Sequence, residues 1–215
     1  MEGETMGKYF SKEKFRYPFY VLTHPMDGFY EIRHRERGSV LVALIIVALF
    51  SFSYSMNRIL ASFVVNNTDP REVDSYFELK GLFIFFFLFC IGNWSITCLM
   101  QGEGRLKDIV IAVGYSMLPL ILTFVPATLL SRFIAADEEA FYYVILIVGI
   151  AWFAILTLIG IMTIHNYTLA KTILTLVLTF ISMLIIVFIL MMLSDLLTQV
   201  IGFFRNIYTE LIFRT

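Results

Sequence analysis

The sequence is poor in charge and rich in apolar side chains. Charged residues make up 15% of the 215 positions and hydrophobic residues 59%, whereas soluble domains are about 25% charged and about 45–50% apolar. A chain of this composition cannot cover itself with a surface that faces water. This excludes a soluble enzyme and a secreted disulfide scaffold, and the net charge of −1 gives no polybasic surface for DNA or RNA.

Catalytic and metal-binding motifs are also missing. The sequence has no His-Glu-x-x-His helix, no Gly-x-Ser-x-Gly elbow and no Walker lysine loop, so we expect no enzyme activity and no cofactor. Among the 3 histidines, His24 and His34 are spaced more widely than the paired ligands of zinc sites, and no metal site is predicted. Cys90 and Cys98 lie about 12 Å apart along one predicted helix, too far for a disulfide.

What the sequence does have is five long windows without any charge. They are Gly38–Asn57, Gly81–Gly102, Ile109–Ser131, Ala140–Ala170 and Thr172–Ser194. Each reaches the roughly 20 apolar residues that a membrane-spanning helix needs, and their continuous apolar pattern indicates helices rather than barrel strands. We therefore predict an all-α integral membrane protein, a bundle of five transmembrane helices. We place these helices near Ser39–Phe63, Gly81–Met100, Ile109–Leu130, Ala140–Ile164 and Thr172–Leu193.

Amphipathic interfacial segments flank this five-span domain of residues 39–193 at both ends. In residues 1–38, aromatic side chains alternate with Lys and Arg, as is typical of a membrane interface. Pro25 there opens a short predicted helix with Asp27 in its first turn. Residues 194–215 repeat apolar side chains at spacings of three and four. This predicts an amphipathic helix that lies on the membrane surface, caps the bundle or extends the fifth helix into a partner.

Five spans place the two termini on opposite sides of the membrane. Lys and Arg are more numerous on the N-terminal side, which favours a cytoplasmic N-terminus and an external C-terminus. The bias disappears when only cations within about 20 residues of a span are counted. We predict a multi-pass protein of the cell membrane, in contact with membrane lipid, with residues 1–38 in the cytoplasm.

Two prolines interrupt the third predicted helix. Pro119 and Pro126 each remove a backbone donor and leave the carbonyl four residues earlier without its helical partner. They lie on nearly the same face, so this helix is predicted to be kinked or split. Broken helices line transport sites, although proline is common in membrane helices generally. A small transporter or channel with this helix along the path is one functional hypothesis.

Polar, glycine-containing segments collect on the N-terminal side of the predicted bundle. Residues 24–39, 93–108 and 163–171 all lie there, while the opposite loops are ordinary acidic connectors. These segments carry our candidate site residues, Asp27, Glu31, Arg33, Glu103, Arg105 and His165. Together they form either an internal clamp that fixes the bundle or a surface that docks a partner. His165, at the end of a span, either hydrogen-bonds a neighbouring loop or has a function of its own.

Several short motifs carry a family resemblance. They are His24–Arg33, Asn93-Trp94, Gly102-Glu103-Gly104, Gly114–Pro119 and His165-Asn166-Tyr167. In this order along five spans they resemble the bacterial branch of the Yip (Ypt/Rab-interacting protein) membrane family. The resemblance runs from about Tyr17 to Phe213 and implies a five-helix bundle with a cytoplasmic N-terminus.

Eukaryotic members of that family are linked to Rab-type GTPases and vesicle traffic. Here only residues 1–38 precede the first span, and the residues His24–Phe29 replace the Asp-Leu-Tyr-Gly-Pro-like entry motif of those relatives. We therefore do not expect a Rab-type GTPase as a partner. The first functional hypothesis is a non-enzymatic membrane adaptor or accessory subunit whose cytoplasmic face docks another membrane protein, such as an ABC-type permease.

Overall fold

The computed structural model describes residues 12–66 and 68–213, and these residues form helices and connecting loops. The α-helices are α1 (Lys12–Thr23), α2 (Pro25–Arg35), α3 (Val40–Leu60), α4 (Ser75–Leu99), α5 (Leu106–Ser116), α6 (Leu118–Leu130), α7 (Glu139–His165) and α8 (Leu169–Phe213). Short 3₁₀ turns at Pro70–Glu72 and Ala136–Glu138 precede α4 and α7. No strand occurs in the described residues, and the prediction of an all-α protein is confirmed.

Five stretches of helix are long and apolar enough to cross a membrane. They are α3, α4, the pair α5 and α6, α7, and α8 as far as Glu210. This confirms the predicted bundle of five spans. The pair α5 and α6 is the most enclosed, with 72% of its apolar window buried, against 22% for α8. The third span is thus the centre of the bundle, with α3, α4 and α7 packed against it.

The third span is split at Met117, between α5 and α6. Pro119 lies in the first turn of α6, where its missing N–H leaves the carbonyl of Tyr115 without a helical donor. The predicted split is therefore present, and Pro119 is its cause. Pro126 lies inside α6 without ending it.

A polar contact inside the membrane region joins α4 to α8. The Asn93 side-chain amide donates to the Thr179 hydroxyl at 3.0 Å, and that hydroxyl donates to the carbonyl of Thr175 at 2.8 Å. The close approach of α4 to α8 depends on Gly92, because a Cβ at this position would lie 3.2 Å from Met183 Cγ on α8. Hydrogen bonds and small residues are what hold helices together in lipid, where apolar burial gives little.

A second polar network ties three spans together at the opposite end. The Asn57 amide donates to the Thr128 hydroxyl at 2.8 Å, and the Tyr142 hydroxyl donates to the Asn57 carbonyl oxygen at 2.9 Å. Next to it the Arg58 guanidinium, on α3, pairs with the Glu78 carboxylate on α4. The polar residues near the end of the first span therefore contact neighbouring helices.

The C-terminal residues extend the fifth span. α8 is one helix of 45 residues that runs to Phe213, with no break at the expected boundary near residue 194. Of the arrangements that the sequence left open for the C-terminal segment, the structure has an extension of the fifth helix over residues 194–213; residues 214–215 lie outside the described residues. The physical reason is that no proline follows Thr172, and Gly202 alone does not end a helix. Beyond the bundle, Phe203, Phe204 and Tyr208 are exposed.

We predict that Tyr142→Phe lowers the free energy of unfolding by about 0.5–1.5 kcal/mol, because it leaves the buried Asn57 oxygen without a donor. The neighbouring Tyr143→Phe is the control, since that side chain is exposed and its hydroxyl makes only a 3.4 Å contact. Thermal unfolding in detergent measures both. Equal effects of the two substitutions would contradict the role of the Asn57 network.

Candidate functional site

The candidate site is the end of the bundle that carries α1 and α2, which we call the N-terminal face. It consists of α1, α2, the loop of residues 100–105 and the loop of residues 166–168. The structure brings the three polar segments of the sequence together here, because α2 packs on α5 and α7 and the two loops adjoin it.

Helix α2 lies across this face and buries one side against the bundle. Pro25 is in its first turn, as predicted, and Asp27 adds negative charge where the helix dipole favours it. Phe29 and Ile32 are fully buried. Asp27 is exposed on the other side. The spacing of the apolar residues thus fixes which charges of α2 face outward.

A hydroxyl and a shared carboxylate hold α1 to α2. Tyr17 donates to the carbonyl of Gly28 at 3.0 Å and lies 3.1 Å from Glu31 Oε2. Glu31 also binds Arg35 at 2.9 Å and Arg37 at 3.0 Å. Burial and the neighbouring Glu31 charge raise the pKa of Tyr17 well above its ordinary value, so the hydroxyl stays protonated and donates. Glu31 therefore serves an internal contact.

The buried carboxylate of Asp108 ties α2 to the start of α5. Its side chain is 1% exposed, and Oδ2 lies 3.0 Å from Arg105 Nε and 3.7 Å from Arg33 Nη1. The backbone N–H of Arg105 donates to the same oxygen at 3.2 Å. A buried carboxylate without such partners would be costly. Arg33 and Arg105, two of the candidate residues, therefore meet on an acid that the sequence analysis missed.

Glu36 and Lys107 form an outer ion pair beside this buried one. Glu36 Oε1 lies 2.8 Å from Lys107 Nζ and 3.0 Å from Arg105 Nη1. The hydrogen bonds from Lys107 and Arg105 lower the pKa of the exposed Glu36 carboxyl. Glu36 and Lys107 were not among the candidate site residues. For the buried Asp108, the available sequence signal was its position three residues after Arg105 at the start of an apolar helix, where an acidic side chain typically caps the helix.

His165 is buried at the end of α7 and supports the loop that follows α4. It is 1% exposed, and its Nδ1 accepts a hydrogen bond from the Gly104 N–H at 3.1 Å. Because Nδ1 accepts, Nε2 carries the hydrogen, and no partner for Nε2 occurs among the described residues. The ring stacks on Tyr167 at 5.3 Å. His165 thus bonds a neighbouring loop, one of its two predicted roles.

The Gly-Glu-Gly motif is explained by this buried histidine. A Cβ on Gly102 would lie 2.5 Å from His165 Nδ1 and 2.6 Å from the Tyr167 hydroxyl. A Cβ on Gly104 would lie 2.5 Å from Ile164 Cγ2 and 2.6 Å from His165 Cε1. Only glycine leaves room for the ring at both positions, and Glu103 between them is exposed.

The exposed candidate residues share one depression on the N-terminal face. Asp27 from α2 and Glu103 from the loop both line it, and its volume is about 550 Å³. We call it the acidic depression; its lining comprises Met26, Asp27, Tyr30, His34, Glu103, Met162, Thr163, Asn166 and Tyr167.

The six charged or histidine candidates therefore fall into two groups. Glu31, Arg33, Arg105 and His165 make contacts inside the fold, while Asp27 and Glu103 face outward. Pro119 and Pro126 lie in the third span, apart from this face. Within residues 12–66 and 68–213 no three His, Cys, Asp or Glu side chains come close enough to hold a metal ion together.

These features define a multi-pass membrane protein of five helical spans, with two short helices packed across one end of the bundle. The Yip1 domain family model matches residues 19–192. The chain belongs to the Yip family, as its motifs indicated. The match ends just before the part of α8 that extends beyond the bundle. Comparison with curated proteins gave no match, and comparison with solved structures gave none.

We predict that Gly104→Ala lowers the free energy of unfolding by about 1–3 kcal/mol, because the added methyl forces His165 and Ile164 to move. Gly81→Ala is the matched control, since a Cβ there meets nothing within 4 Å and helix propensity favours alanine by at most about 1 kcal/mol. Thermal unfolding in detergent reports both. A Gly104→Ala protein as stable as Gly81→Ala would show that the loop does not depend on this packing.

Proposed function

We propose that this protein is a non-enzymatic adaptor or accessory subunit of a membrane protein complex, and that it docks its partner through the N-terminal face. The observation that carries the proposal is the acidic depression. It combines the carboxylates of Asp27 and Glu103 with Met26 and Tyr30, whose side chains are 59% and 53% exposed. Exposed Met and Tyr beside a charged rim are the composition of a protein interface.

The base of the acidic depression is held by contacts within the fold, which supports docking. The loop carrying Glu103 rests on the buried His165 ring through Gly104. Helix α2, which carries Asp27, is held by the ion pair of Arg33 with the buried Asp108. A surface that is already ordered loses little conformational entropy on binding, so few contacts suffice for useful affinity.

The charge of the depression indicates the partner's chemistry. Two exposed carboxylates attract a basic segment of the partner, and a membrane protein with basic cytoplasmic loops, such as an ABC-type permease, has that chemistry. In this proposal the N-terminal face lies on the cytoplasmic side of the cell membrane. The proposal also assigns the chain to the bacterial branch of the Yip family. A Rab-type GTPase is not among the proposed partners. The lack of catalytic signatures in the sequence supports a non-enzymatic role.

We predict that Glu103→Lys lowers the recovery of the partner at least about tenfold in co-purification from gently solubilised membranes, because like charges then face each other. Asp137→Lys is the matched control, an exposed acid in the connector at the other end of the bundle. The variants are compared at equal unfolding midpoints. A chain that always purifies alone, or equal loss with both variants, would contradict the proposal.

A small transporter or channel is the second candidate, favoured by the split third span. A cavity of about 270 Å³ lies beside the break at Met117, between α4, α5, α7 and α8. Its lining is apolar except for Thr157, with Phe86, Phe89 and Phe153 prominent. Such walls do not replace the hydration shell of an ion, so the structure supports this candidate less than the adaptor.

We predict that liposomes containing the pure protein show no flux of ions or of small polar solutes above that of empty liposomes. The reason is the apolar lining next to the helix break. Fluorescent ion indicators and radiolabelled solutes measure this. A flux that Met117→Trp abolishes, while the exposed Leu99→Trp leaves it unchanged, would establish the transporter instead.

A further inference from the structure

The cavity of about 270 Å³ beside the helix break has a closed floor and a mouth toward the lipid. Its floor includes Val113 and Met117 of the third span, which are buried. Its mouth includes Phe85 and Phe180, which are each 53% exposed on the outside of the bundle. The mouth arises because α8 packs mainly on α4 and makes few contacts with α7. A molecule dissolved in the membrane can therefore enter without crossing water.

Phenylalanine rings form much of the wall, and we call the recess the phenylalanine cavity. Phe85, Phe86 and Phe89 come from α4, Phe153 from α7 and Phe180 from α8. Phe89 and Phe180 meet edge to face, with their ring centres 6.1 Å apart. Aromatic rings in such arrangements attract each other beyond the effect of apolar burial. Since an apolar cavity of about 150 Å³ admits benzene, this one has room for a ligand of two rings.

One polar side chain, that of Thr157, interrupts the apolar lining. Thr157 is 7% exposed, and its hydroxyl makes no hydrogen bond with any of the described residues. Thr128 and Thr179, in other spans, instead donate to the carbonyl four residues earlier, at 2.7 Å and 2.8 Å. A buried hydroxyl without a partner is costly. Because rotation about χ1 exchanges the hydroxyl with the methyl group, Thr157 can present a free donor to the cavity.

We propose that the phenylalanine cavity binds a membrane-soluble molecule that has an aromatic ring system and one carbonyl group. The rings lie among the phenylalanine side chains, and the carbonyl oxygen accepts a hydrogen bond from the Thr157 hydroxyl. The molecule enters from the bilayer between α7 and α8. This inference is independent of the partner docking proposed above, because Thr157 lies eight residues before His165 on α7, about 12 Å from the N-terminal face.

The chemistry of the cavity decides between the possible occupants. An acyl chain of a bilayer lipid would fill the apolar volume, but it would leave the Thr157 hydroxyl unpaired and gain nothing from the aromatic walls. A ligand hydroxyl would bring a donor of its own into an apolar recess. A carbonyl oxygen only accepts, so it satisfies Thr157 and leaves no polar group of the ligand without a partner.

The test is thermal unfolding of the pure protein in a nonionic detergent with two probe molecules. Benzophenone carries two rings on one carbonyl, and 1,1-diphenylethylene has the same shape with a CH₂ group in place of the oxygen. We predict that benzophenone at tenfold above its dissociation constant raises the unfolding midpoint by about 3–6 °C. Both probes partition into detergent, so each is compared only with itself, as the concentration that gives half of its maximal shift in different variants.

Two substitutions at Thr157 test the hydrogen bond. Thr157→Val keeps the shape and removes the hydroxyl, so it raises the half-maximal concentration of benzophenone about three- to tenfold, the value of one net hydrogen bond. The same variant leaves the half-maximal concentration of 1,1-diphenylethylene unchanged. Thr157→Ser retains the hydroxyl and binds benzophenone as the parent protein does.

Two substitutions on α7 locate the site. Ala154 is exposed and lines the cavity, so Ala154→Phe closes the mouth and abolishes most of the benzophenone shift. Ala151→Phe is the matched control, because Ala151 is also exposed on α7 and does not line the cavity. If Ala154→Phe does not fold, the two Thr157 variants still decide.

Any of three results overturns the proposal. No midpoint shift with benzophenone up to its solubility limit would show that the cavity does not take the rings. An unchanged half-maximal concentration of benzophenone in Thr157→Val would show that the cavity accepts any apolar filler, such as a lipid acyl chain. An undiminished shift in Ala154→Phe would place the probe elsewhere on the protein.

Discussion

The N-terminal face depends on one buried carboxylate, that of Asp108 at the start of the third span. Removing one partner of a buried ion pair costs about 3–5 kcal/mol, so Arg33 and Arg105 cannot leave this acid without penalty. Arg33 therefore fixes α2 across the end of the bundle, and Arg105 fixes the loop that leads into α5. With both anchored, the outward direction of Asp27 and Glu103 is set.

Between the membrane spans, hydrogen bonds of buried polar side chains connect the helices. Lipid gives helices little reason to associate by apolar burial. Asn93 on α4 bonds Thr179 on α8, and Asn57 on α3 bonds both Thr128 and Tyr142 on α6 and α7. These contacts lie at different ends of the bundle. One contact joins α4 to α8, and the other joins α3 and α7 to α6 in the split third span. The third span has most of its own surface buried.

The five spans follow from the sequence because hydropathy over about 20 residues is a local property. The split at Met117 was also predictable, since Pro119 has no backbone N–H to donate to the preceding turn of a helix. For Asp108 the sequence offers a local signal for a helix cap, but its burial and its contact with Arg33 depend on α2 packing on α5, which is a long-range property. The continuation of α8 past residue 194 was one of several arrangements, since composition alone does not tell an extended helix from a separate one that lies on the membrane.

Helix α2 has an exposed side and a side that packs on the bundle. Asp27 and Tyr30 line the acidic depression on one side of the helix, whereas Ile32 is buried against the bundle and Glu36, just after the helix, pairs with Lys107 and Arg105. Between them Arg33 reaches the buried Asp108. The helix is therefore anchored to the bundle in its last turn, where Arg33 lies. Because Arg33 is bound at the buried carboxylate and Phe29 and Ile32 are buried, Asp27 and Tyr30 are left on the exposed side of the helix.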